Sequence, residues 1–245
     1  MAELQQGPLE VEVEHIALKG GDGTPVDAIH ARPDGMPVSG IVLHPDLMGI
    51  RPLYDDLCQR LATHGFAVVA PEPFVRAPAE VRADEEFASR QAYASQLDDD
   101  LQIGDLEIAA DYLVVHDDVR EVAVVGFCMG GMQALKAAAT GRFDKAVMFY
   151  GMIVPPEGWV GPKTRLPLAA AADVCPTLAI FGAHDVFTPE ADIAALRAAW
   201  ADRPDCEIVV YPEAAHGFVH APERDAHRAD DAADAWRRVL AFLLS

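Results

Sequence analysis

The chain has 245 residues, 51 % of them hydrophobic, and sets 39 acidic against 19 basic side chains, a formal charge of −20 at pH 7. Nucleic acid and anionic membrane surfaces are bound through clustered cations, so this balance argues against both as partners. The apolar fraction supplies a sizeable core and excludes a largely disordered chain, and the length suits one α/β domain over 1–245. Residues 10–18 alternate, with Val11 and Val13 on one side and Glu12 and Glu14 on the other, which predicts a strand. Gly20 to Gly23 make a turn, and residues 26–31 return as the second strand of a hairpin. Short apolar runs at 41–43 and 66–70 are buried strands, separated by a helix over 53–64 (Leu53, Leu57, Leu61) that stops at Gly65. Residues 74–98 are acidic and alanine-rich, with a short helix over the site. Helices follow at 101–116, 130–140 and 189–201, strands at 121–125, 145–149, 177–181 and 207–211, and a last helix at 221–244.

Strands alternating with helices predict a mostly parallel sheet covered on both faces, with an antiparallel edge from the N-terminal hairpin. Binding sites in such sheets lie beyond the carboxyl ends of the strands. The four cysteines, Cys58, Cys128, Cys175 and Cys206, form no C-x-x-C pair, and the N-terminus has no basic and then apolar run of a signal peptide. These features read as a cytoplasmic protein with free thiols. No run approaches the roughly 18 apolar residues of a membrane span.

One strand end stands out. Val122-Ala123-Val124-Val125 runs into Gly126-Phe127-Cys128-Met129-Gly130, the G-x-nucleophile-x-G turn between strand and helix, with cysteine where serine is commoner. The glycines leave room around a tight turn, and the helix that follows offers its N-terminal amides and dipole to an oxyanion or thiolate. Asp185 follows the strand at 177–181, and His216 follows the strand at 207–211, at steps of 57 and 31 residues. Nucleophile, acid, histidine is the α/β-hydrolase order, with His216 taking the thiol proton and Asp185 orienting the ring.

With Gly126 to Gly131, Gly182-Ala183-His184-Asp185, Ala214 to Phe218 and Asp46-Leu47-Met48-Gly49, residues 26–244 resemble the dienelactone hydrolase family of the α/β hydrolases. The resemblance implies attack of Cys128 on an activated ester or enol lactone, an acyl-thioester, and its hydrolysis, with no cofactor. It implies that an acid after the third strand accepts the cysteine proton; this chain has Asp46 where the family has glutamate. It places oxyanion donors at the Met129 and Leu47 amides. The family's substrate carboxylate is held by two arginines, whose positions here are Ser89 (with Arg90 one step later) and His220; Tyr93 matches in register. Neither arginine is in place, so Arg90 and His220 are the stand-ins, and Arg51, Arg76 and Arg82 are further cations for that role.

The expected partner is therefore a small ester or lactone, and the expected state a monomer or weak homodimer. The other readings are a broad esterase or acyl transferase, and a non-catalytic binder or thiol sensor on the same scaffold. His216 and His220 lack the H-E-x-x-H context of a zinc site, and Asp98-Asp99-Asp100 lacks calcium-loop spacing and suits a helix start instead, so no metal is expected. Trp159, Trp200 and Trp236 are packing residues, with Trp159, in a long loop after a strand, the one placed to face the pocket.

Overall fold

The computed structural model describes residues 4–84 and 86–245. Eight strands form one sheet: β1 (Val11–Lys19), β2 (Pro25–Pro33), β3 (Ser39–His44), β4 (Phe66–Pro71), β5 (Val122–Phe127), β6 (Lys145–Phe149), β7 (Thr177–Gly182) and β8 (Cys206–Tyr211). They lie in the order β1-β2-β4-β3-β5-β6-β7-β8. The hairpin strands β1 and β2 are antiparallel to each other and β2 to β4, while β3 to β8 run parallel. Every residue of β4, β5 and β7 is buried, as a parallel sheet covered on both faces demands.

The helices are α1 (Pro52–Thr63), α2 (Ala79–Ala83), α3 (Phe87–Tyr93), α4 (Asp99–His116), α5 (Met129–Ala137), α6 (Pro167–Ala170), α7 (Glu190–Ala199) and α8 (Ala229–Leu244). On one face Tyr54, Leu57 and Leu61 of α1 and Trp236 and Val239 of α8 pack on Ile41, Val125 and Val147. On the other, Leu106 and Leu113 of α4, Leu135 of α5 and Leu196 of α7 pack on Val42, Val124 and Ala146. Asp98 caps α4 by accepting the Asp100 N–H, so the acidic triplet is a helix start, as its composition suggested. No helix among the described residues is long and apolar enough to cross a membrane.

Two expectations change. The segment 74–98 holds two short helices rather than one. The last helix begins at Ala229, not near 221: Pro222 and the turns after it keep 221–228 irregular, and Asp230 and Asp231 occupy the first helical turn, where acids are favoured. That irregular stretch lies beside the site.

Candidate active site

Cys128 sits on the turn between β5 and α5 at φ +55 and ψ −117, a left-handed conformation that side chains rarely adopt. Its neighbours make the turn possible. A Cβ on Gly126 would stand 2.0 Å from the Gly130 carbonyl oxygen, and one on Gly130 would stand 2.3 Å from that of His44. The Cys128 N–H donates to the Phe149 carbonyl at 3.0 Å, and the Cys128 carbonyl accepts from the Met132 N–H at 3.0 Å, so the turn is held from both sides. Met129 opens α5, so its N–H has no partner within the helix.

Asp185 lies just past β7 and is 3 % exposed. One carboxylate oxygen accepts the Phe187 N–H at 2.8 Å; the other accepts from His216 Nδ1 at 2.8 Å. The loop after β8 is tied to the loop after β7, since the His184 N–H donates to the Ala214 carbonyl at 2.9 Å. With Nδ1 committed to Asp185, Nε2 of His216 is the nitrogen left for the Cys128 hydrogen bond. Burial works against a charged imidazole, but the charge and hydrogen bond of Cys128, together with Asp185, push His216 up to about 10. Tyr150 and Phe187 meet the ring edge-on, at centroid distances of 5.0 and 4.9 Å.

Cys128 and His216 open onto a cavity of about 310 Å³. Leu47, Met48, Phe87, Met152, Trp159 and Phe187 give it apolar walls, and Arg51, Arg224, Glu223 and Asp46 give it charge. Leu47, Met129 and Trp159 belong to one apolar cluster that also packs on Cys128. Arg224 has no carboxylate within ion-pairing distance among the described residues, whereas Arg51 forks onto Asp46 at 2.7 and 2.8 Å.

The residues expected at the substrate carboxylate lie elsewhere. His220 is 0 % exposed and does not reach the cavity; its Nε2 meets Asp46 at 2.8 Å and its Nδ1 meets the Tyr150 hydroxyl. Ser89 spends its hydroxyl on Asp84. Arg90 turns into a separate cleft, with its guanidinium on the Arg82 carbonyl at 3.1 Å, 3.5 Å from Glu72 and over the Phe74 ring. Tyr93 packs on Phe74 and the apolar cluster instead of lining the cavity. Arg76 is held by Asp22 and Asp105, and Arg82 lines the same separate cleft as Arg90. Of the cations considered from sequence, only Arg51 lines the cavity; Arg224 was missed. Its one sequence signal is its position past β8 beside Pro222, visible only if the last helix starts after it.

Asp46 lies at the end of β3 but is enclosed. Burial alone would raise its carboxyl; the hydrogen bonds from His220 and Arg51 outweigh burial and hold it well below the usual carboxylate range. Its backbone N–H donates to the Tyr54 hydroxyl at 2.6 Å, and the Met48 N–H donates to its carboxylate at 2.9 Å. Glu72, just past β4, accepts the N–H of Ile50 from this loop at 2.6 Å and the Phe74 N–H at 3.0 Å. No cluster of three or more potential metal ligands occurs among the described residues.

A mostly parallel sheet with a cysteine elbow after β5, an acid after β7 and a histidine after β8 has the arrangement of an α/β hydrolase. Residues 26–245 match the dienelactone hydrolase family, and the chain belongs to it. It is 33 % identical over 242 residues to a carboxymethylenebutenolidase of Rhodococcus opacus, covering 96 % of this chain and 91 % of that one. A solved structure from Klebsiella pneumoniae assigned as a dienelactone hydrolase superposes with a TM-score of 0.86 at 28 % identity, covering 96 % of this chain and all of the other. An esterase from Pyrobaculum calidifontis shares the fold at a TM-score of 0.69 and 18 % identity, covering 97 % of this chain and 86 % of its own.

Proposed function

We propose that the protein hydrolyses a small lactone or activated ester through Cys128, His216 and Asp185. The observation that carries this reading is the His216 ring bonded to Asp185 through Nδ1 and lining, together with Cys128, one cavity. In the proposed cycle His216 Nε2 holds the proton taken from Cys128 before the sulfur attacks the carbonyl carbon, in keeping with its raised value. The carbon–oxygen bond then breaks, and the leaving oxygen takes that proton. Water then attacks the thioester carbon, giving a proton to His216; the carbon–sulfur bond breaks, the carboxylic acid leaves, and Cys128 and His216 again share one proton. The Met129 and Leu47 amides are the proposed donors to the tetrahedral oxyanion. Enol and aryl esters suit this nucleophile, because their leaving oxygens depart easily.

The substrate class follows from the cavity. Its walls are apolar, and Arg224 is its cation without a carboxylate partner among the described residues, with Arg51 beside it. We assign to these two the anionic group of the substrate, in place of Arg90 and His220. The chain is read as one hydrolase domain acting on a small molecule. The test is turnover of an enol lactone and of a p-nitrophenyl ester by the wild type and by Cys128→Ala. The reading expects turnover by the first and none above background by the second; equal turnover removes Cys128 from the reaction.

A further inference from the structure

Behind the groups assigned to catalysis runs a hydrogen-bonded chain that the proposed cycle does not use. Tyr150, at φ +39 just past β6, is fully buried and meets His220 Nδ1 through its hydroxyl. His220 Nε2 meets Asp46 Oδ2 at 2.8 Å. Burial keeps this imidazole neutral, so it carries one ring proton. A carboxylate only accepts, so that proton is on Nε2, and the Tyr150 hydroxyl donates to the bare Nδ1. Asp46 is then fully engaged: Oδ1 accepts from the Met48 N–H and Arg51, Oδ2 from Arg51 and His220. A carboxylate has about four lone-pair directions, and all four are taken, leaving none aimed at a thiol.

We propose that Asp46, oriented by His220 and Tyr150, is a positioning residue that fixes Arg51 and the Asp46–Leu47 turn at the cavity, and that it does not receive the Cys128 proton. This rests on the cysteine-hydrolase reading. The chain joins three strand-end loops, those after β3, β6 and β8, and the Tyr150 ring also braces His216 at 5.0 Å. One buried contact set thus holds the proposed oxyanion donor at Leu47, the cation at Arg51 and the base at His216 in register. The Asp46 charge selects the His220 tautomer, and the tautomer in turn orients Tyr150.

The two roles for Asp46 predict opposite signs. If it were the base for the thiol, removing the His220 donor would free a lone pair and leave kcat unchanged or raised. As a positioning residue it needs that donor. His220→Leu is expected to lower kcat on a neutral p-nitrophenyl ester by roughly tenfold, the worth of a hydrogen bond to a charged group, with little change in KM. His220→Gln, whose amide nitrogen still reaches Asp46 as a donor, is expected to recover most of that loss. Folded His220→Leu with wild-type or higher kcat overturns the proposal, as does His220→Gln no better than His220→Leu. If His220→Leu does not fold, Tyr150→Phe decides: a several-fold fall in kcat at unchanged KM supports it, and an unchanged or raised kcat overturns it. Failure of the cysteine reading is seen separately, as turnover by Cys128→Ala.

Discussion

At the residue scale, the strained backbone of Cys128 is a measurable property. At φ +55 a Cβ is penalised and glycine is not, so the usual order of Ala above Gly reverses. Cys128→Gly is expected to be about 1 kcal/mol more stable than Cys128→Ala, read as the difference between their chemical unfolding midpoints. This strain was legible in the sequence, because the glycines at 126 and 130 exist to admit the turn. The environment of Asp46 and His220 was not. The resemblance made Asp46 the acceptor of the cysteine proton and His220 a substrate contact, and only the packing of Phe127, Tyr54 and Tyr150 around His220 shows that its ring does not reach the cavity. For Arg224, a guanidinium with no carboxylate partner among the described residues makes a specific demand. Arg224→Met keeps the apolar stem and removes the charge, and is expected to raise KM for a carboxylate-bearing ester roughly tenfold while leaving a neutral ester nearly unaffected. Steady-state kinetics on the matched pair of esters checks it; equal effects on both would take Arg224 out of anion recognition.

At the element scale, His30 on β2 ties the antiparallel hairpin to the end of α4. It is buried, bonded through Nδ1 to Glu14 of β1 at 3.1 Å and through Nε2 to Asp117, the residue that ends α4, at 3.0 Å. Burial opposes its charge, yet the two carboxylates prevail and raise it above the ordinary histidine value of 6.5. A folded-state value above the unfolded one stabilises fully below pH 6.5, and that gain is lost as pH rises through the folded value. His30→Gln should therefore cost more stability at pH 6 than at pH 9, measured by urea unfolding at both; a pH-independent cost would remove the charged histidine from the staple. The strands themselves were legible because buried β-branched runs bounded by glycine and proline have few other uses. The start of α8 was not. Ala221 to Arg228 have helix-compatible composition, but Pro222 and contacts to the site loop hold them irregular, and Arg224 reaches the cavity from there.

At the scale of the molecule, the charge of −20 is spread over the surface and is not the charge of the site. The cavity gathers two of the fifteen arginines, one neutralised by Asp46 and one with no carboxylate partner among the described residues. Far above the isoelectric point near 4.6, the shell of like charges opposes the folded state, and salt screens it. Raising NaCl from about 20 to about 300 mM at pH 7.5 shortens the screening length several-fold, and Tm is expected to rise by a few degrees; a fall would mean that the surface ion pairs outweigh the net repulsion. The central claim is that an acyl group passes through Cys128. Its most direct test is mass spectrometry of acid-quenched enzyme after milliseconds with a p-nitrophenyl ester. The account expects the added acyl mass on the peptide that contains Cys128, at a stoichiometry matching the nitrophenol burst. Turnover with no adduct there, or with the adduct on another residue, would contradict it.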